Sequence, residues 1–234
     1  MTAPRSPQPA AESASASSAR PRTRLSGHRW EMGLVVMLIG SVIVAAQLSP
    51  YYLNLDQILL AMRLTMVAGM LALGLIVVVV LGEIDLSQAA IVAFGAVIFA
   101  ALSQWDLPFW AALPIVVVLC MVLGAFNGIL VAYLGLPSLA VTIGTLAAYR
   151  GLAFIIGGDK GYTGFDDTYL WLGRTTSPIA PAIVIFGITA IVLAIVMARS
   201  NFGAYCYTIG NSPTVARFSG IPVARVKVLA LSLI

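Results

Sequence analysis

Charge is what this sequence has least of. Of 234 residues, 13 are Lys or Arg and nine are Asp or Glu, while 60 % are hydrophobic and the mean hydropathy is +1.00. Such a composition excludes a water-soluble domain and indicates an integral membrane protein. Histidine is reduced to one residue, His28, and cysteine to two, Cys120 and Cys206. Cys120 falls inside an apolar run and Cys206 in a polar connector, so no disulfide framework is expected. No group of His, Cys and carboxylates has metal-ligand spacing, and no Gly-x-x-x-x-Gly-Lys phosphate loop is present. The closest imitation, GGDKGYTG at 157–164, has the wrong spacing. We therefore expect no catalytic residue, no metal, no cofactor and no nucleotide hydrolysis by this chain itself.

Long apolar runs are abundant. Six are complete, at Met32–Leu48, Gln57–Leu81, Leu86–Leu102, Pro108–Leu134, Leu136–Ile156 and Ile179–Ala198. A bilayer core of about 30 Å needs ~20 helical residues, so each is a candidate crossing. A seventh run opens at Val228 and is cut off at Ile234, too short to cross, which we read as the start of a span in an incomplete chain. The fold class expected is all-α and polytopic, with six complete transmembrane helices and the start of a seventh. Residues 1–29, rich in Pro, Ser, Ala and Arg without apolar periodicity, read as a disordered tail ahead of a membrane domain over 30–234.

The cations set the orientation. Arg5, Arg20, Arg22, Arg24 and Arg29 precede the first run, and Arg199, Arg217, Arg225 and Lys227 lie in the connector 199–227. An even number of crossings separates the two groups, so both share a side, and the positive-inside rule makes it cytoplasmic. The opposite side collects Asp56, Asp106, Asp159, Asp166 and Asp167 against Lys160 and Arg174, while Arg63 and Arg150 fall near outer helix ends. The pI near 9.3 thus reports topology, and no nucleic-acid partner is implied.

The connector RSNFGAYCYTIGNSPTVARFSGIPVARVK, 199–227, is the polar stretch with the clearest local code. Ser212 is an N-cap and Pro213 suits the first helical position, where its missing N–H costs nothing. Gly220 supplies a left-handed stop and Pro222 blocks resumption. The spacing predicts a short helix over 212–219, with a plain loop as the alternative.

A second polar break, LGEIDLSQ at 81–88, puts Glu83 and Asp85 between two spans with almost no loop. One reading is a tight turn at the headgroups. The other is a broken helix whose ends line a solute pathway, with Ser87 beside the carboxylates. Gly124-x-x-x-Gly128 offers a small-residue packing face, with Asn127 next to it as a candidate pathway residue. Ser138, Thr142 and Thr145 form one hydroxyl stripe, which either bonds back to its own helix or meets a solute. The segment Gly157–Pro178 carries Tyr162, Phe165, Tyr169 and Trp171, suited to a membrane interface or to docking an outer partner.

The strings LGEIDLS at 81–87, NGILVAYLGLPSLAVTIGTLAAYRGLAFIIGG at 127–158 and FGAYCYTIGNSPTVARFSGIPVARVK at 202–227 resemble the monosaccharide-type permeases of ABC importers in the branched-chain permease superfamily. The similarity is to the ribose, xylose, rhamnose and autoinducer group, and GYTGF at 161–165 resembles rhamnose and autoinducer members. This resemblance implies about ten spans in a full chain, a multi-pass protein of the bacterial inner membrane, two permeases per transporter (identical or different), two cytoplasmic nucleotide-binding ATPase subunits and a periplasmic sugar-binding protein. It also implies that 199–227 couples to the ATPase, through Asn211, Ser212, Pro213, Ala216, Arg217, Ser219, Gly220, Ile221 and Arg225, with Lys227 completing the loop pattern. In LGEIDLS, Glu83 stands where many members have glycine. An ion-coupled secondary transporter of a small polar solute, using Glu83 and Asp85, is the alternative.

Overall fold

The structure, a computed structural model, describes residues 25–158, 161–170 and 181–233. The tail over 1–24, Asp159, Lys160 and the stretch 171–180 with Trp171 and Arg174 lie outside the described residues, as does the Arg63 side chain. Two compact units are present, Met1–Asn54 and Leu55–Ile234. The first contains one helix, α1 (Leu25–Leu48), whose start takes in residues 25–29 that the sequence assigned to the tail.

The second unit contains α2 (Leu55–Val80), α3 (Gln88–Gln104), α4 (Phe109–Ala132), α5 (Ser138–Gly157), α6 (Asp167–Leu170), α7 (Pro181–Arg199), α8 (Asn201–Asn211), α9 (Pro213–Phe218) and α10 (Val223–Ser232). No strand occurs among the described residues. Five helices, α1, α2, α4, α5 and α7, are long and apolar enough to cross a membrane. The 17 residues of α3 span about 26 Å, slightly short of a bilayer core. The described residues are therefore all-helical and polytopic, with five to six apolar membrane-spanning helices.

Local chemistry explains where the helices stop. Gly82 has φ +80°, its N–H donates to Val79 O (3.0 Å), and the Glu83 N–H donates to Val78 O (3.0 Å). This pair of bonds closes α2 as a Schellman cap, which only a residue tolerant of positive φ completes without strain. At the opposite end of the bundle Tyr169 packs on Phe99 and Phe109, with ring centroids 4.9 and 5.6 Å away, and donates to Leu107 O. The interface aromatic expected there is thus also a packing residue that ties the 161–170 segment to the α3–α4 turn.

Close helix approach is made at glycines. A Cβ on Gly124 would strike the Leu231 carbonyl, and one on Gly128 would lie 2.7 Å from Val228 Cα. The Gly-x-x-x-Gly face of α4 therefore seats α10, backbone against backbone.

The connector 199–227 holds the short helix expected over 212–219, as α9, and ahead of it a helix that the sequence reading did not foresee, α8. Phe202, Cys206 and Ile209 recur at helical spacing along α8 and pack inward, an amphipathic period hidden by low hydropathy. Ser200 caps α8 by accepting from the Gly203 N–H (3.2 Å). The next helix opens at Val223 rather than Val228, with Val223, Val226, Ala230 and Leu231 buried. Pro222 precedes its first turn, where a proline is tolerated, so it begins α10 instead of blocking it.

Candidate functional site

α9 is built from its caps. The Ser212 side chain, on extended backbone (φ −159°), accepts from the Val215 N–H at 3.3 Å, and Pro213 follows as the first residue. At the other end Gly220 has φ +79°, its N–H donates to Arg217 O (3.0 Å) and the Ile221 N–H to Ala216 O (3.0 Å). Six residues cannot hold a helix in water unaided, so the caps must be joined by packing. Ala216 provides it. Its methyl is fully buried in a core shared with Val77 of α2 and Leu81 just after it, Met197 of α7, Cys206 and Ile209 of α8, and Val223 and Val226 of α10.

The residues named from sequence therefore divide. Ala216 faces inward, with Ile221 packed against the same core. Asn211, Arg217, Ser219, Gly220 and Arg225 are exposed, as is Pro213, while Ser212 is half-buried by its capping role. The sequence reading missed Phe218, which is 89 % exposed, and Val215 beside it at 56 %. A large ring fully in the open on a helix anchored from behind is a surface without its cover. The signal was available, since Phe218 stands two residues from the Ala216 anchor and falls on the opposite face of α9.

Cys206, expected on a connector, is completely buried on α8. Burial pushes its thiol up to about 11, so the thiolate is scarce at neutral pH. In a Cys120→Ala chain, a maleimide should label Cys206 only slowly at pH 7.4, faster as pH approaches 11, and fully once the core is unfolded; rapid labelling of the folded chain at pH 7.4 would contradict this packing.

The α2–α3 break is held by a polar cluster at the same end of the bundle. Asp85 Oδ1 accepts from both the N–H and the hydroxyl of Ser87, each at 2.7 Å, closing an Asx-type turn that aims the chain into α3. Asn127 Nδ2 donates to Ser87 Oγ (2.7 Å), and Tyr149 Oη donates to Asn127 Oδ1 (3.2 Å) and Leu123 O (3.1 Å). The hydroxyl stripe of α5 reaches the break directly: Ser138 Oγ accepts from the Ile84 N–H (3.2 Å), and Thr142 Oγ1 donates to Ile84 O (3.4 Å). Thr145 bonds back to Val141 O (3.1 Å) in its own helix. Glu83 forms an ion pair with Lys227 of α10. Tyr149 was not foreseen, because nothing local marks a tyrosine whose partners sit 22 and 26 residues away.

The six residues expected to line a pathway, Glu83, Asp85, Ser87, Asn127, Thr142 and Thr145, thus occupy one end of the bundle, and all but Thr145 engage another element or the break itself. None lines either of two prominent cavities among the described residues. One, of about 710 Å³, lies between α3 and α5 beneath the 161–165 segment, walled by Ala89, Ala93, Ala96 and Ala100 with Arg150 and Tyr162. The other, of about 560 Å³, is an apolar space between α2 and α7 that Gln88 and Thr189 touch. Among the described residues no group of His, Cys and carboxylates could hold a metal ion.

A family described as the permease component of branched-chain amino acid transport systems matches residues 57–234, which covers α2 through α10 with both the break and the capped α9. The chain belongs to this family. Relatives include the Autoinducer 2 import system permease protein LsrD of Enterobacter sp. (strain 638), 27 % identical over 83 % of this chain and 62 % of the relative. Those of Klebsiella pneumoniae and Photorhabdus laumondii are each 28 % identical, over 83 % and 87 % of this chain. The chain spans about six-tenths of the length of these relatives, 60–63 %. No solved structure matches.

Proposed function

We propose that this chain is the membrane-spanning permease subunit of an ATP-driven importer of a monosaccharide or related small sugar. In this reading it lies in the bacterial inner membrane with its N-terminus in the cytoplasm. It pairs with a second permease, binds two cytoplasmic ATPase subunits through the end carrying α9, and receives solute from a periplasmic binding protein. The relatives' shared name, an autoinducer 2 import permease, supports the solute class. α9 is the coupling helix. The observation that carries this assignment is the division of α9 into an inward anchor, Ala216 at 0 % exposure, and an outward ring, Phe218 at 89 %. A helix so mounted transmits a push on its outer face to α2, α7, α8 and α10 together. Coupling then requires that ATPase closure favour one arrangement of this core over another.

Asn211, Arg217, Ser219 and Arg225 complete the exposed surface around the ring, while Ser212, Pro213, Gly220 and Ile221 shape and seat the helix. We assign Asp85, Ser87, Asn127 and Thr142 to holding the break in place rather than to contacting solute. The ion-coupled alternative loses its nearest carboxylate, since Glu83 is already matched by Lys227.

The test is a photo-crosslinker placed at Phe218, with the captured protein identified from membranes. Capture of a nucleotide-binding ATPase is expected, and Phe218→Ala should lower ATP-dependent uptake by about tenfold or more, as loss of a central aromatic contact does, with insertion unchanged. Crosslinking to lipid alone, with uptake that follows an ion gradient and survives ATP depletion, would defeat the assignment.

A further inference from the structure

We propose that the Glu83–Lys227 ion pair is a latch that makes the α2–α3 break move with α9, so that both residues position the break for transport. This rests on the coupling role of α9 given above.

The two residues are 144 positions apart, and their side chains are only 14 % and 16 % exposed. Glu83 lies three residues beyond the end of α2 and Lys227 is the fifth residue of α10, so the pair joins two elements that are distant in the chain. A half-buried charge without its partner is costly, so the two halves cannot separate freely.

What the latch joins gives it a purpose. On one side, Ala216 O accepts from the Ile221 N–H at 3.0 Å and Pro222 O from the Val226 N–H at 3.1 Å, an unbroken run of backbone bonds from α9 to the turn that bears Lys227. On the other side, the Glu83 N–H caps α2 while the adjoining Ile84 is gripped through both backbone groups by Ser138 and Thr142 of α5. A displacement of α9 thus reaches α10 and, beside the apolar core that Ala216 shares with Leu81, has a polar route through this ion pair to the junction of α2, α3 and α5. The remaining ties of α10 are apolar, through Val223, Val226 and Leu231, or a backbone contact on Gly124 and Gly128 of α4, and they offer no polar tooth to fix its position along the groove. Lys227 supplies that tooth, one residue from the Val228 that sits on Gly128.

The deciding comparison is between two double variants in the assembled transporter, with uptake and ATP hydrolysis read on chains that keep Phe218 and crosslinking read on separate chains carrying the crosslinker there. Glu83→Gln with Lys227→Met removes the pair without leaving a lone buried charge. Glu83→Lys with Lys227→Glu restores the attraction with the charges exchanged. We expect the neutral pair to insert and to crosslink to the ATPase like the parent. Its uptake should fall about tenfold, within the usual range of coupling energies, and its ATP hydrolysis should cease to respond to loaded binding protein. The reversed pair should recover most of the uptake. Normal uptake by the neutral pair overturns the latch, as does a reversed pair that crosslinks normally yet stays inactive. A parent chain that captures no ATPase overturns the coupling reading itself, and the latch with it.

Discussion

Gly210→Ala should remove most of the folded protein, although it adds a single methyl group. A Cβ at this position of α8 would strike the Val80 carbonyl oxygen, and the carbonyl carbon of Leu81 lies 3.3 Å from it. These are backbone atoms at the capped end of α2, whose Schellman bonds leave them no room to retreat. Overpacking of this kind costs about 1–3 kcal/mol where side chains can give way, and more where only backbone can. Relief requires α8 to lift off α2, which opens the core around Cys206 and Ile209. The matched control is Gly144→Ala in α5, where nothing lies within 4 Å of the added methyl and the better helix propensity of alanine stabilises by roughly 0.5–1 kcal/mol. Thermal unfolding in detergent, read by the fraction eluting as a monodisperse peak, should fall sharply for the first and stay level or rise for the second. Equal profiles would mean that α8 does not rest on α2 as described.

Ala216→Glu should detach α9 without unfolding the spans. The methyl it replaces is fully buried among apolar side chains from four other helices, and none of the side chains that form this core is a cation. Burying an unpaired carboxylate costs several kcal/mol, about 3–5 where a lone charge is left inside. A six-residue helix at the edge of the bundle has a cheaper escape, which is to swing outward and hydrate the charge. Trypsin should then cut after Arg217 several-fold faster than in the parent, ATP-dependent uptake should vanish, and insertion should persist. Ala216→Ser, nearly the same size and able to bond back to its own helix, should behave like the parent. Unchanged cleavage in Ala216→Glu would show that the side chain is not enclosed.

What the sequence disclosed follows from the range of the physics involved. Each span was legible because lipid imposes a length and a polarity on every crossing helix, so hydropathy places the ends to within a few residues. α9 was legible to the residue because caps are local: Ser212, Pro213 and Gly220 act on atoms within four positions of themselves. α8 was missed because its inward face of Phe202, Cys206 and Ile209 is set among polar residues, and mean hydropathy averages that periodicity away. The Glu83–Lys227 pair was illegible for a different reason. Both charges were noted singly, yet their pairing depends on α10 starting five residues early and lying along the Gly124–Gly128 face, a register that no local pattern encodes. Tyr149 likewise gains its role only when α5 meets α4.

Ser212 belongs to two helices at once. Its N–H ends α8 on Thr208 O at 3.1 Å, while its hydroxyl begins α9. A joint one residue long contains no slack, because consecutive Cα atoms are held about 3.8 Å apart. α9 can therefore pivot about Ser212 but cannot be drawn away from α8, and the turn through Gly220 tethers its other end as tightly. Any partner acting on Phe218 works against a short crank rather than a flexible strap, and its stroke is an angle instead of a distance.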